Sequence, residues 1–315
     1  MPLCRWVGAS TTRGTAALPG SPVSRPPRVF VFPTALVPPA LRERVAHPPP
    51  PATPIPAATV VPLRPAPDGV EVLLVQRPQG SRFAAEAWVF PGGRVDPADA
   101  DPAWAIHLAG PSARRWARRL RTSPAAAQAV VLAALRELLE ETGWVLARDA
   151  EDRPVPTAAP PELRHAADAG AEAFRRALGA RGWRLDTGRL VHLARWITPE
   201  PEARRYDTFF FAAAVPADAP VHLPPGELAA AAWWRPADAV AAWRAGELRL
   251  LPPTVHTLAR LAHLRDVADL GRRRCPAPIY QPIMRPHPDG IIIEVRRAST
   301  HSRPTHEGPS GGPAP

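Results

Sequence analysis

Short runs of β-branched and apolar residues alternate along this chain with longer stretches in which apolar positions recur every three or four residues. Thr59-Val60-Val61-Pro62-Leu63 and Val70-Glu71-Val72-Leu73-Leu74-Val75 flank Pro67-Asp68-Gly69, a turn signal, and the pattern predicts a hairpin. Ala87-Trp88-Val89-Phe90 predicts a third strand, stopped by Pro91-Gly92-Gly93. Across residues 100–122, Trp104, Ile106, Leu108, Trp116 and Leu120 stand among Ala and Arg, which predicts an amphipathic helix of imperfect period. Ser123-Pro124 is a helix start, with Ser at the cap and Pro in the first turn. The helix it opens runs to Thr142 and stops at Gly143. Val130, Val131, Ala134, Leu135, Leu138 and Leu139 form its apolar face.

After a Pro-rich loop at 149–162 the pattern predicts a helix around 162–178. Strands follow at 190–197, 207–215 and 230–235, then helices at 236–244 and 252–267. Residues 279–284 and 290–295, separated by a Pro-His-Pro-Asp-Gly turn, predict a closing hairpin. Strands interleaved with helices predict one α/β domain over residues 57–297. Residues 1–56 are rich in Pro, Ser, Arg and Ala, and 48–51 are all proline, so a disordered leader is expected there and a disordered tail over 298–315.

The net charge of +10 raises nucleic-acid binding, and the position of the charge argues against it as the main role. Residues 1–50 carry six Arg against one acid and residues 271–315 carry seven against three, whereas residues 51–270 hold 26 Arg and 25 acids. A nearly neutral body with basic ends is not a footprint for a phosphate backbone. All 39 basic residues are Arg, so the lack of Lys reads as a bias of composition. Cys4 and Cys275 have neither disulfide nor zinc spacing, and the ten His show no ligand spacing. Neither a membrane-length apolar run nor a signal-like N-terminus is seen, and the chain ends in Gly-Pro-Ala-Pro rather than a peroxisomal tripeptide. A cytoplasmic protein is the expectation.

The chemistry concentrates in Arg136-Glu137-Leu138-Leu139-Glu140-Glu141-Thr142-Gly143-Trp144. On a helix, Glu137, Glu140 and Glu141 stand at i, i+3 and i+4, so three carboxylates share one face within a turn. Like charges that close repel unless a cation neutralises them, and carboxylate oxygens suit hard ions such as Mg²⁺ or Mn²⁺.

The segment resembles the second half of the Nudix box, Arg-Glu-apolar-any-Glu-Glu-any-Gly-apolar, at every position. The first half of the box is a Gly followed after five residues by Glu. Gly93 and Asp99 stand at that spacing, with Asp in place of Glu, and thirty-six residues separate Asp99 from Arg136. A box split in this way is similar to the coenzyme A diphosphatases of the peroxisomal type and their bacterial relatives. Leu73-Leu74, Arg77, Arg82 and Phe90-Pro91-Gly92-Gly93 keep the intervals of the upstream coenzyme A pattern, while Val75, Pro78 and Glu86 depart from its letters. Trp196-Ile197-Thr198-Pro199 and Arg204-Arg205-Tyr206-Asp207-Thr208-Phe209-Phe210 also resemble that branch.

The resemblance implies a Nudix fold, a mixed β-sheet sandwiched between α-helices, with a helical insertion at 100–131 inside the box. It implies a Mg²⁺- or Mn²⁺-dependent diphosphatase acting on a small nucleoside diphosphate, first of all coenzyme A or acyl-coenzyme A. Other Nudix substrates (ADP-ribose, a dinucleotide, capped RNA) and a non-catalytic binding module are the alternatives. Glu137, Glu140 and Glu141 are then metal ligands, and Arg136 orients one of them. Gly93 and Gly143 serve tight turns. Asp99 is an outer ligand or a helix cap, and Glu227 is either a distant base or ligand or an exposed loop acid. Arg77, Arg82 and Arg205 are candidate contacts to substrate phosphates, and most of the ten Trp are core residues.

Overall fold

A computed structural model of the chain describes residues 26–81, 84–271 and 277–298. Its first elements are strand β1 (Val29–Pro33) and helix α1 (Pro39–Ala46). Both lie within the leader expected to lack structure, so that expectation is corrected from Val29 onward. The reason is a distant partner: β1 pairs antiparallel with a strand near the other end, Val29 opposite Glu294 and Pro33 opposite Gly290. Phe30, 3% exposed, packs on the Trp243 ring with centroids 5.7 Å apart. Apolar burial across the fold supplies what the local Pro-rich composition lacks.

The predicted hairpin is β2 (Ile55–Ala66) and β3 (Gly69–Gln76). The short strands β4 (Trp88–Val89) and β5 (Gly92–Arg94) pair with β3 and with the first half of β2 respectively. The stretch expected as one amphipathic helix is broken instead. A 3-10 turn at Pro97–Ala100 precedes it, and it holds a 3-10 helix at Pro102–His107, the two-residue strand β6 (Leu108–Ala109) and helix α2 (Ala113–Leu120). Asp96-Pro97 and Asp101-Pro102 start the turns, each Asp side chain accepting from the amide two residues on, and Gly110 at φ +93° permits the bend before α2.

Helix α3 (Pro124–Thr142) starts and stops where its caps predict. Ser123 Oγ accepts from the Ala126 amide at 3.2 Å, and Gly143 ends the helix in the left-handed region at φ +74°. Beyond it come β7 (Ala147–Arg148), α4 (Pro161–Asp168), α5 (Ala171–Ala180) and β8 (Arg184–Asp186). Gly170, at φ +108°, divides the helix expected over 162–178 into α4 and α5. Strands β6, β8 and β7 form a small sheet of their own.

The remaining elements are β9 (Val191–Ile197), β10 (Tyr206–Ala214), β11 (Ala230–Trp234), α6 (Pro236–Ala245) and α7 (Pro252–Leu261). Three strands close the order: β12 (Ile279–Tyr280), β13 (Ile283–His287) and β14 (Gly290–Glu294). The closing hairpin is β13–β14, to which β1 adds, while Ile279–Tyr280 joins β9. Helix α7 is shorter than expected, and Asp266 caps a separate 3-10 turn at Val267–Leu270.

The main sheet runs β11-β3-β2-β10-β9-β12, with β4 and β5 attached to β3 and β2, and it is mixed because β2 and β10 are parallel. Period-two alternation sends its side chains to two cores. Ala58, Val60, Leu73, Val75, Phe209 and Phe211 pack on one side with α2 and α3. Val61, Leu63, Val72, Leu74, Phe210 and Ala212 pack on the other with α6 and α7. This is the sheet between helices that the box resemblance implies. No helix among the described residues is long and apolar enough to cross a membrane.

Candidate functional site

Helix α3 buries Val130, Val131, Ala134, Leu135, Leu138 and Leu139 against the sheet, so the polar positions of its last two turns face β5. Arg136 is the hub there, with its side chain 14% exposed. Its Nη1 donates to Glu137 Oε1 at 2.9 Å and to Glu140 Oε2 at 2.8 Å. Its Nε and Nη2 reach the two Asp99 oxygens at 3.3 and 3.2 Å, and Nη2 also donates to the Arg94 carbonyl at 3.1 Å.

Strand β5 approaches through its two glycines. The Gly92 amide donates to Glu141 Oε2 at 2.9 Å. A Cβ on Gly93 would lie 2.4 Å from Glu137 Oε2, so only glycine leaves room for that carboxylate. At Gly92 a Cβ would lie 2.4 Å from the Ala58 carbonyl oxygen, which ties this glycine to strand pairing as well. The Gly92 amide is the contact that sequence reasoning missed, because the spacing assigned Gly93 alone to the turn.

Asp99 resolves toward the cap. Its carboxylate accepts from the Asp96 amide at 2.9 Å in a capping box and pairs with Arg136, and it is 1% exposed. Glu227 lies on the exposed loop between β10 and β11. That loop is tied down around it: the His222 amide donates to the Thr142 carbonyl at 2.9 Å, Trp144 Nε1 to the Pro220 carbonyl at 2.7 Å, and the Ala229 amide to the Gln76 carbonyl at 2.8 Å. The charge of Glu227 acts on Glu137 and Glu141, and that of Arg77 on Glu141, so the structure brings both to the cluster.

Arg205 does not join them. Expected as a phosphate contact, it is 6% exposed and donates to the main-chain carbonyls of Thr198 at 3.0 Å and Ala52 at 2.8 Å. Its guanidinium clamps two segments together, a use of Arg that sequence alone does not separate from phosphate binding. Arg82 lies outside the described residues.

Burial sets the electrostatics of the glutamates. Loss of solvent raises the Glu141 carboxyl to about 8, aided by the charges of Glu137 and Glu227 and opposed by the Gly92 amide and Arg77. Loss of solvent also raises Glu140 to about 7, with Arg136 opposing and Glu137 and Asp168 adding to the rise. Glu137 and Asp99 are raised by burial too, against the pull of Arg136. For Arg136 burial works against the cation, but the charges of Asp99, Glu137 and Glu140 outweigh it and hold its pKa up.

Among the described residues no three His, Cys, Asp or Glu are arranged as a ready ligand set. The carboxylates are turned to Arg136 and to the Gly92 amide. The donor set nevertheless fits a hard divalent cation. It consists of oxygen donors only, desolvated and mutually repelling, and a bound cation would favour their charged forms.

No protein-family model matches the chain. Acyl-coenzyme A diphosphatase NUDT19 of Gallus gallus is 28% identical over 240 residues, 64% of this chain and 64% of the relative's own length. The protein of the same name from Homo sapiens is 27% identical over 255 residues, 69% of this chain and 67% of the relative. The crystal structure of a NUDIX hydrolase from Alicyclobacillus acidocaldarius superposes with a TM-score of 0.61 at 29% identity, covering 72% of this chain and 99% of that one. By its sheet between helices, its split box and these relatives, the chain has the Nudix fold and is a relative of the Nudix hydrolases, resembling their split-box acyl-coenzyme A diphosphatase branch.

Proposed function

We propose that the chain is a divalent-metal-dependent Nudix diphosphatase that cuts coenzyme A or acyl-coenzyme A into 3',5'-ADP and a phosphopantetheine. The observation that carries this reading is the joining of the two box halves. Glu137 fills the space over Gly93, Glu141 accepts from Gly92, and Arg136 bridges Asp99 to Glu137 and Glu140. The names of the relatives and the insertion within the box support the coenzyme A choice over other nucleoside diphosphates.

Glu137, Glu140 and Glu141 would hold Mg²⁺ or Mn²⁺, which when bound supplies positive charge for the diphosphate oxygens and for the attacking water. Arg136 keeps two of these side chains in place and leaves the third to Gly92. Hydrolysis adds one water across the P–O–P bridge: the water oxygen bonds to one phosphorus, and the bridging oxygen departs with the other phosphate. Glu227, exposed beside Glu137 and Glu141, takes the proton on its carboxylate. Arg77 offsets charge on the diphosphate.

Turnover of coenzyme A, an acyl-coenzyme A, ADP-ribose, a dinucleotide and capped RNA with Mg²⁺ or Mn²⁺ tests this reading, with coenzyme A or its acyl form expected to show the highest kcat/KM. A far higher value for ADP-ribose or a dinucleotide refutes the substrate. Glu140→Gln and Glu141→Gln should each lower kcat by on the order of 100-fold or more with the fold intact. Absence of any turnover by the unmutated protein would make the chain a binding module.

A further inference from the structure

The box requires only an apolar residue after Gly143, and this chain places there a Trp, which brings a hydrogen-bond donor along with its ring. Trp144 is fully buried. Its main chain is bridged to Ala158, and its ring stacks on Trp233 with centroids 5.9 Å apart. Trp233 is held in turn by the Arg64 guanidinium, 4.2 Å over its ring, and Glu71 fixes that guanidinium at 2.7 Å. An indole confined in this way points its N–H in one direction, and that N–H donates to the Pro220 carbonyl at 2.7 Å.

Pro220 belongs to the segment between β10 and β11 that carries Glu227. Arg64 Nη1 donates to the Ala217 carbonyl at 3.2 Å, and the His222 amide donates to the Thr142 carbonyl at 2.9 Å, so the ties on either side of Pro220 reach the same stack and the same helix end. Past them Leu223 packs on the core, Pro224-Pro225 stiffens the chain and Gly226 turns it at φ +82°, which brings the backbone to Glu227. The segment is caught again at Ala229, whose amide donates to the Gln76 carbonyl.

Trp144 thus stands just past the cap of the carboxylate helix and grips the loop that bears Glu227, so Glu141 and Glu227 share one anchor. The charge of Glu227 acts on Glu137 and Glu141, in keeping with a loop held against the cluster. Resting on the diphosphatase reading above, we infer that Trp144 is a positioning residue, which through the Pro220 carbonyl holds the Glu227 loop in place against the end of the carboxylate helix. Being fully buried, it touches neither substrate nor cation and acts through the loop alone.

Trp144→Phe keeps a buried ring and removes the donor. If it does not fold, 3-benzothienylalanine at position 144 keeps the two-ring shape with sulfur in place of the N–H. In the full chain, amide exchange across residues 221–229 should speed by about tenfold or more, while the buried face of α3 keeps its protection. Mn²⁺ affinity by calorimetry should fall by about threefold or more in this variant and in Glu227→Gln, and no further in the double variant, because both withdraw the same charge. With the best substrate kcat should fall by about tenfold or more in each at unchanged KM, again without further loss in the double variant. A Trp144 that serves only the core would lower Tm and give losses that multiply with those of Glu227→Gln. Unchanged loop exchange in a folded variant overturns the anchor, and multiplying losses overturn its action through Glu227. Full kcat in Glu227→Gln rejects Glu227 as the base and the positioning role with it. Faster loop exchange in a protein with no diphosphatase turnover keeps the anchor and rejects the catalytic reading.

Discussion

Raising the pH of chelated protein from 6.5 to 8 should destabilise it, contrary to the usual behaviour of carboxylates paired in a fold. Glu140 and Glu141 are held at about 7 and about 8 by burial and neighbouring negative charge, against 4.5 for the ordinary side chain. In this window the folded state holds protons that the unfolded state has released, so stability falls as pH rises. Each carboxyl forfeits about 1.4 kcal/mol per pH unit until it passes its folded value. Over the window Glu141 titrates almost throughout and Glu140 in the first part, giving a loss of roughly 2.4 kcal/mol from the two glutamates.

The lower limit matters because burial depresses His192 and His256 to about 4 from an ordinary 6.5. Below 6.5 these histidines make stability rise with pH and mask the glutamates; above it the folded forms are neutral and the unfolded ones finish losing their protons by about pH 7.5, which offsets roughly 0.8 kcal/mol of the loss. Urea denaturation at pH values across the window, in chelator and then in Mg²⁺ or Mn²⁺, measures the slope. Bound cation should flatten it, because it favours the charged carboxylates in the folded state. A double variant, Glu140→Gln with Glu141→Gln, should lose most of the slope in chelator. Stability that is flat or rising between 6.5 and 8 in chelated protein, or a slope the double variant retains, would refute the view that these carboxylates are desolvated and mutually strained.

Gly93→Ala places a methyl 2.4 Å from the Glu137 carboxylate, the movable end of a side chain, so Tm should change little while metal affinity by calorimetry falls about tenfold or more. Gly92→Ala meets backbone, the Ala58 carbonyl, and should lower Tm clearly in the same melting series. Asp99→Asn weakens the bidentate hold on Arg136 inside a buried site and should cost about 1–3 kcal/mol in denaturant. Its turnover should fall in kcat more than in KM, since Asp99 acts through Arg136. Deleting residues 1–52 removes β1 with Phe30 and should lower Tm and leave the β14 edge prone to self-association, read by light scattering.

Local signals located helix α3 to the residue. Ser123 and Gly143 are caps whose chemistry acts within one turn, and the apolar face between them needs only the sheet to cover it. The β2–β3 hairpin was legible for the same reason. What failed depended on partners far off in sequence. Val29-Phe30-Val31-Phe32 is a strand because β14 lies beside it, and nothing in the surrounding prolines signals this. Across residues 100–122 apolar spacing suggested a continuous helix, but Asp101-Pro102 and Gly110 divide it. In the site, three glutamates on one face followed from helical period alone. The burial of Arg205 against two carbonyls is a product of tertiary packing, and no local pattern encodes it.

The split box poses a physical question: how a constellation survives thirty-six residues placed between its halves. The contacts answer it, since every link between the halves lies on the near side of the excursion. Gly92, Gly93 and Asp99 all precede residue 100, and their partners Glu141, Glu137 and Arg136 all lie in the second half of α3. The chain leaves after Asp99 and returns through Ser123, more than three helical turns before Arg136. The insertion is itself anchored, by Trp104 Nε1 donating to the Ala98 carbonyl and Gln128 Nε2 to the Asp101 carbonyl, so it does not pull on the site. Asp in place of Glu at position 99 is compatible with this arrangement, because the carboxylate there serves as cap and Arg136 anchor. Both tasks are within reach of the shorter side chain.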